Sequence, residues 1–143
     1  MKKFLIAALV LIASGTAMAN NDAKKVNYQI LQNFALNFRG AEQVEWTVKK
    51  DLIKASFAWY GEKAEAFYST EGEFLGLTRR IEVQQLPSAI KRNLKKSYSD
   101  DQILESIEFE KDGITKYYVT VLTEKGKQIL EAELSGTVSI YKK

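Results

Sequence analysis

With no histidine and no cysteine anywhere in its 143 residues, the chain must draw its general acids and bases from carboxylates, lysines and tyrosines. The missing histidine removes the commonest general base near neutral pH and the commonest transition-metal ligand. The missing cysteine removes thiolate nucleophiles, thiolate zinc sites and iron–sulfur ligation. Asp100, Asp101 and Glu105 lie close enough in sequence to suggest the paired carboxylates of glycoside hydrolysis. Asp100-Asp101, however, falls between a helical pattern and a strand pattern, where Asp is ordinary turn chemistry, and the ligand spacing of a calcium-binding EF-hand is missing. No P-loop, G-x-S-x-G or dinucleotide-binding glycine pattern is present. The expectation is a non-enzymatic protein with no cofactor and no metal site.

Two surfaces remain that could bind a partner. Between Arg79 and Lys96 the basic residues Arg79, Arg80, Lys91, Arg92, Lys95 and Lys96 face only Glu82, whereas from Asp100 to Asp112 six acidic residues accompany Lys111 alone. A basic helix balanced by its acidic neighbour explains this, as does a docking patch for an acidic or phosphate-bearing partner. The second surface is a sheet face. Strand alternation places Ala58, Tyr60, Phe67 and Phe74 outward in the first half and Tyr118, Leu122, Ile129, Val138 and Ile140 outward in the second. A solvated face carries fewer large apolar groups. A one-residue register slip, burial between the halves, or a homodimer contact would each account for it. A partner-binding surface would use Tyr60, Phe67, Phe74 and Tyr118 as anchors, with Arg79 and Arg80 near the rim.

The elements that must position these residues follow from periodicity. Val26, Ile30, Phe34 and Phe38 recur every four residues, the stripe of an amphipathic helix stopped at Gly40. The period then falls to two. Val44, Trp46 and Val48 form one strand; Ile53, Ala55, Phe57 and Trp59 form the next. A Gly61-Glu62 hairpin loop would pair Trp59 with Ala64, Phe57 with Ala66 and Ala55 with Tyr68. A turn at Glu71-Gly72 would lead to a fourth strand with Leu75 and Leu77 inward. Leu86-Pro87, containing the only proline, opens a second helix with Ile90, Leu94 and Tyr98 at spacing four. Four more strands follow, turning at Asp112-Gly113, Lys125-Gly126 and Ser135-Gly136. Shifted by about 60 positions, Ile30, Asn33, Phe34 and Phe38 fall on Ile90, Asn93, Leu94 and Tyr98, which suggests a duplication. The fold class is α+β: two tandem helix-plus-four-antiparallel-strand repeats, about 24–83 and 84–143, forming a single domain over 20–143 with helices on one face of the sheet.

Residues 1–19 carry two lysines, an apolar run from Phe4 to Ala13 and a small-residue end at Ala17-Met18-Ala19. This is a secretory signal peptide with cleavage expected between Ala19 and Asn20, since the run is well short of the roughly 20 residues that span a bilayer. Export to the periplasm or the cell exterior follows, with no stable membrane anchor after cleavage. Lys2 and Lys3 leave with the leader, so 19 basic residues then face 18 acidic ones. That balance makes no case for nucleic acid as a partner.

These features meet a known family. Val44-Glu45-Trp46, the hairpin ending Phe67-Tyr68-Ser69-Thr70-Glu71-Gly72, Arg80-Ile81, Leu86-Pro87, a short basic helix to Tyr98, and Asp112-Gly113 before Tyr117-Tyr118-Val119 resemble the PepSY-like proteins. These are small exported bacterial proteins whose fold is similar to the β-lactamase inhibitory protein. The resemblance implies tandem helix-plus-four-strand repeats and a binding or inhibitory role without catalysis. The function expected is a non-enzymatic periplasmic or secreted protein that grips an envelope protein or peptide on its sheet face, of the inhibitor type. The alternative is a carrier of a small apolar or lipid-like ligand held between sheet and helices, in a cavity lined by Phe34, Phe57, Trp59 and Trp46.

Overall fold

The helical stripe of the sequence becomes a helix because Asn27 caps it: the Gln29 backbone N–H donates to the Asn27 side chain at 2.8 Å in the computed structural model. The structure describes residues 21–142. The leader and its cleavage point at Ala19-Asn20 lie outside the described residues. Two compact units divide between Arg79 and Arg80.

The N-terminal unit begins with a 3-10 turn at Ala23–Lys25 and helix α1 (Tyr28–Asn37). Four antiparallel strands follow: β1 (Glu42–Lys49), β2 (Leu52–Trp59), β3 (Glu62–Tyr68) and β4 (Phe74–Ile81), the last two residues of β4 falling past the boundary. Ile30, Phe34 and Phe38 from the helix side are buried against Trp46, Ile53, Ala55, Phe57, Ala64, Ala66, Tyr68 and Leu77. Phe34 is the centre of this packing, with ring centroids 5.1 Å from Phe38, 5.2 Å from Trp46 and 4.9 Å from Phe57. The volume proposed for a carried ligand is therefore occupied by touching side chains.

In this unit two strand registers differ from the sequence reading. The β2–β3 loop is Tyr60-Gly61, not Gly61-Glu62, so Trp59 pairs with Glu62, Phe57 with Ala64, Ala55 with Ala66 and Ile53 with Tyr68. A two-residue hairpin of this hand requires positive φ at both loop positions, and Tyr60 and Gly61 have φ of 50° and 82°. The error is two residues, so the faces are unchanged. In β4 the consequence is larger. Tyr68 pairs with Phe74 but Phe67 pairs with Gly76, leaving Leu75 as an inserted bulge residue. The extra residue reverses the alternation, and Phe74 packs into the core beneath α1 instead of facing outward.

Tyr68 is buried within this core, and its hydroxyl meets no hydrogen-bond partner among the described residues. Burial pushes its pKa well above the usual tyrosine range. A raised folded-state pKa means that the phenol's contribution to stability is complete below the unfolded value of about 10 and is lost as pH rises beyond it. Tyr68→Phe is expected to raise stability by about 1 kcal/mol at neutral pH, by removing a desolvated unpaired hydroxyl, and to move the onset of alkaline unfolding upward. Urea midpoints near neutrality and in alkali check both; a loss of more than about 1 kcal/mol on substitution would mean that the hydroxyl has a partner.

The second unit starts with Arg80 and Ile81. A 3-10 turn at Val83–Gln85 is closed by a reciprocal capping box between Glu82 and Gln85. Helix α2 (Ser88–Leu94) follows Pro87, which stands at its N-cap. It is shorter than the spacing-four stripe suggested: Lys95 ends it, and Tyr98 packs against the same core from beyond the helix. After a 3-10 turn at Asp100–Gln102, β5 (Ile103–Lys111), β6 (Ile114–Thr123), β7 (Gly126–Glu133) and β8 (Val138–Ile140) form a second antiparallel meander. Leu86, Ile90, Leu94, Tyr117, Val119, Val121, Leu130 and Ala132 are its core. Val138 pairs with Ala132 and Ile140 with Leu130, so both belong to the helix side, not the outward face expected for them. The short β7–β8 connection sets this register, because Gly136 turns with φ of 93° directly beneath α2.

Candidate functional site

In each unit, side chains that alternate with the helix-side core form a second face, and the sequence-predicted site residues distribute unevenly over these surfaces. Tyr60 is at the β2–β3 hairpin tip, 86% exposed, its ring 5.1 Å from that of Trp59. Phe67 lies on the helix-free face as expected, but is fully buried in the chain. Tyr118 is likewise on the helix-free face of its own unit and only 1% exposed. Phe74 is in the core beneath α1, for the bulge reason given above. Arg79 pairs with the buried Ala64 and so stands on the helix side. Arg80 is exposed and bound to the Glu105 carboxylate.

The helix-free faces carry a feature that the sequence reading missed. In the N-terminal unit Lys54 Nζ donates to Glu65 Oε1 at 2.8 Å, and the Ser56 hydroxyl reaches the same oxygen at 3.3 Å. Glu65 Oε2 is buried with no hydrogen-bond partner among the described residues. In the second unit Lys116 Nζ donates to Glu131 Oε1, also at 2.8 Å, while the Tyr118 hydroxyl donates to Glu131 Oε2 at 3.0 Å. Each pair joins the second and third strands of its meander. The available signal was a lysine and a glutamate on opposite arms of one hairpin, sharing the parity of the outward aromatics. Such pairs make an apolar face compatible with water while keeping its geometry fixed. Burial first, then the charge and hydrogen bond of Glu131, holds the Tyr118 phenol well above the usual tyrosine range. A phenol so protected stays neutral and acts here as a hydrogen-bond donor, not as a base. Its ring also meets Tyr141 edge-on at 5.5 Å.

The carboxylates singled out for chemistry are not brought together as a catalytic pair. Asp100 and Asp101 are exposed in the turn at Asp100–Gln102, which Ser99 and Gln102 close with a capping box. Asp100 lies 3.6 Å from Lys95 Nζ, and Glu105 is occupied by Arg80. Among the described residues no group of three or more metal-ligating side chains is assembled. On α2, Lys91 donates to the Gln84 carbonyl at 2.8 Å, while Arg92 and, just past the helix end, Lys96 stand in solvent. No described helix is long and apolar enough to cross a membrane.

No family profile and no curated protein matches the chain in sequence. Solved structures do match it in shape. A BLIP-like protein from Bacteroides fragilis superimposes with a TM-score of 0.72 at 17% identity, covering 82% of this chain and 85% of that one. A DUF2874 family protein from Bacteroides ovatus gives a TM-score of 0.70 at 13% identity, covering 80% and 87%. A candidate periplasmic protein from Bacteroides eggerthii gives 0.69 at 13% identity, covering 79% and 85%. At these identities the likeness is one of fold, and the fold is BLIP-like.

Proposed function

We propose that the chain is a non-enzymatic, exported binding protein that grips a protein or peptide of the cell envelope through the helix-free side of its strands. Its hairpin and helix-start spacing and its BLIP-like fold support placing it with the PepSY-like proteins, as a duplicated helix-plus-four-strand module released by cleavage after Ala19. The observation that carries the reading is the Tyr60 ring, 86% exposed at the β2–β3 hairpin tip and packed on Trp59, at the end of a face that the Lys54–Glu65 pair holds fixed. A large aromatic ring held in solvent beside a rigid face favours a surface that a partner covers. Phe67 and Tyr118 serve as the floor of their faces, and Tyr60 at the open hairpin tip makes contact.

A photo-crosslinking amino acid placed at Lys63, on the helix-free side near Tyr60, tests the reading when compared with one at the exposed Leu36 on α1. With the chain expressed behind its own leader, a defined protein adduct is expected from position 63, absent from position 36 and weakened at least about fivefold by Tyr60→Ser. Identical adducts from both positions, or adducts indifferent to Tyr60→Ser, would overturn it.

A further inference from the structure

The open side of β8 offers a second surface, independent of the helix-free face. Strand β8 is the last strand of the second meander. Its neighbours Thr137 and Tyr141 bond back to β7: the Glu133 N–H donates to the Thr137 carbonyl at 3.0 Å and the Tyr141 N–H to the Ile129 carbonyl at 2.9 Å. Antiparallel pairing alternates, so Val138 and Ile140 turn their N–H and C=O groups away from β7. Beside this edge lies a hollow of about 440 Å³ whose apolar lining is Leu94, Tyr98, Leu130, Val138 and Ile140. Ile140 is 53% exposed there. A second hollow of about 420 Å³ shares Ser97 and Tyr98 with the first and runs on to the β6–β7 hairpin.

Charge decides what fits. Lys96 lines the first hollow, the exposed Lys142 follows β8, and no carboxylate is among the residues lining that hollow. Lys95, also exposed, stands next to Lys96 at the end of α2.

We infer that the β8 edge and the hollow beside it bind an extended peptide that carries apolar and acidic residues together on one face, at alternate positions, added as a further antiparallel strand. Its backbone bonds to Val138 and Ile140, as in strand addition to any open sheet edge. Its apolar side chains enter the hollow and cover Ile140, and its carboxylates meet Lys96 and Lys142. The shortness of β8 limits the number of backbone bonds, so the side-chain pocket and the lysines supply the selectivity.

The probe is a fluorescent, end-blocked hexapeptide in which glutamate, valine and glutamate occupy alternate positions with threonine between them, with a control carrying lysine in place of each glutamate, titrated by anisotropy into the whole chain. Saturable binding of the acidic peptide is expected, at least about tenfold tighter than the control and weakened by salt. Lys96→Glu, at an exposed position, should weaken it at least about fivefold, and Ile140→Pro, which deletes an outward N–H, should abolish it. Amide exchange read on the wild type should slow at Val138 and Ile140 when peptide is added. Equal binding of the two peptides, or unchanged exchange at Val138 and Ile140, overturns the inference. So does slowed exchange that depends on protein concentration without peptide, which would assign the edge to a second copy of this chain.

Discussion

Gly136→Ala is expected to destabilise the second unit by about 3 kcal/mol, far more than a typical surface substitution. Two costs add. Gly136 has φ of 93°, a conformation that costs an L-residue roughly 1–2 kcal/mol. A Cβ there would also stand 2.8 Å from the Ala89 Cβ and 3.3 Å from the Ala89 carbonyl carbon on α2. Neither atom is the end of a flexible side chain, so the β7–β8 turn must lift off the helix, at about 1–3 kcal/mol for overpacking. Lifting also strains the hydrogen bond from Asn93 Nδ2 to the Gly136 carbonyl, now 2.7 Å. Gly113→Ala is the control: its φ is 75°, but nothing lies within 4 Å of the added methyl, so only the conformational cost of about 1–2 kcal/mol remains. Urea unfolding followed by far-UV circular dichroism measures both. Equal losses at the two glycines would mean that the turn does not seat on α2.

Phe34→Ala should cost about 3–5 kcal/mol, the range for deleting a buried aromatic side chain. Its ring touches Phe38, Trp46 and Phe57 at once, and rings cannot collapse smoothly into the space left behind. Leu36→Ala, two residues along the same helix but exposed, should change stability by less than about 0.5 kcal/mol. Both tryptophans of the chain, Trp46 and Trp59, sit in the N-terminal unit, so tryptophan fluorescence reports this loss directly. A penalty for Phe34→Ala no larger than that of Leu36→Ala would remove the ring cluster as the organising core of α1 and its strands.

The two experiments probe elements that differ in how visible they are in sequence. The stripe Ile30, Phe34 and Phe38 and the alternation Ile53, Ala55, Phe57 and Trp59 are readable because each residue's partner face is set by a local period, 3.6 or 2, that a continuous core preserves. The same logic located the turn at Gly136, since a glycine between two strand patterns marks positive φ. It could not show that α2 lies against that turn, because Ala89 and Gly136 are 47 positions apart and no periodicity links them.

For the candidate site the division is sharper. Phe67 and Tyr118 kept the faces that alternation assigned to them, whereas Tyr60 stands at a hairpin tip and Phe74 moved inward because the inserted residue Leu75 breaks the alternation between it and Leu77. Val138 and Ile140 moved for a similar reason, since a strand three residues long has too few side chains to reveal its phase. The roles of the charges were invisible until strands were paired: Glu105 neutralises Arg80, and Glu65 and Glu131 hold Lys54 and Lys116. By itself, then, the sequence determined the order of elements, the apolar stripes of both cores and the absence of histidine and thiol chemistry, since all of these depend on residue type and short-range spacing. Only the tertiary structure decided which aromatics are floor and which are reachable, which charges are already paired, and that β8 stands open beside a basic hollow. Those are properties of register and long-range contact, where one bulge or one hydrogen bond outweighs any local preference.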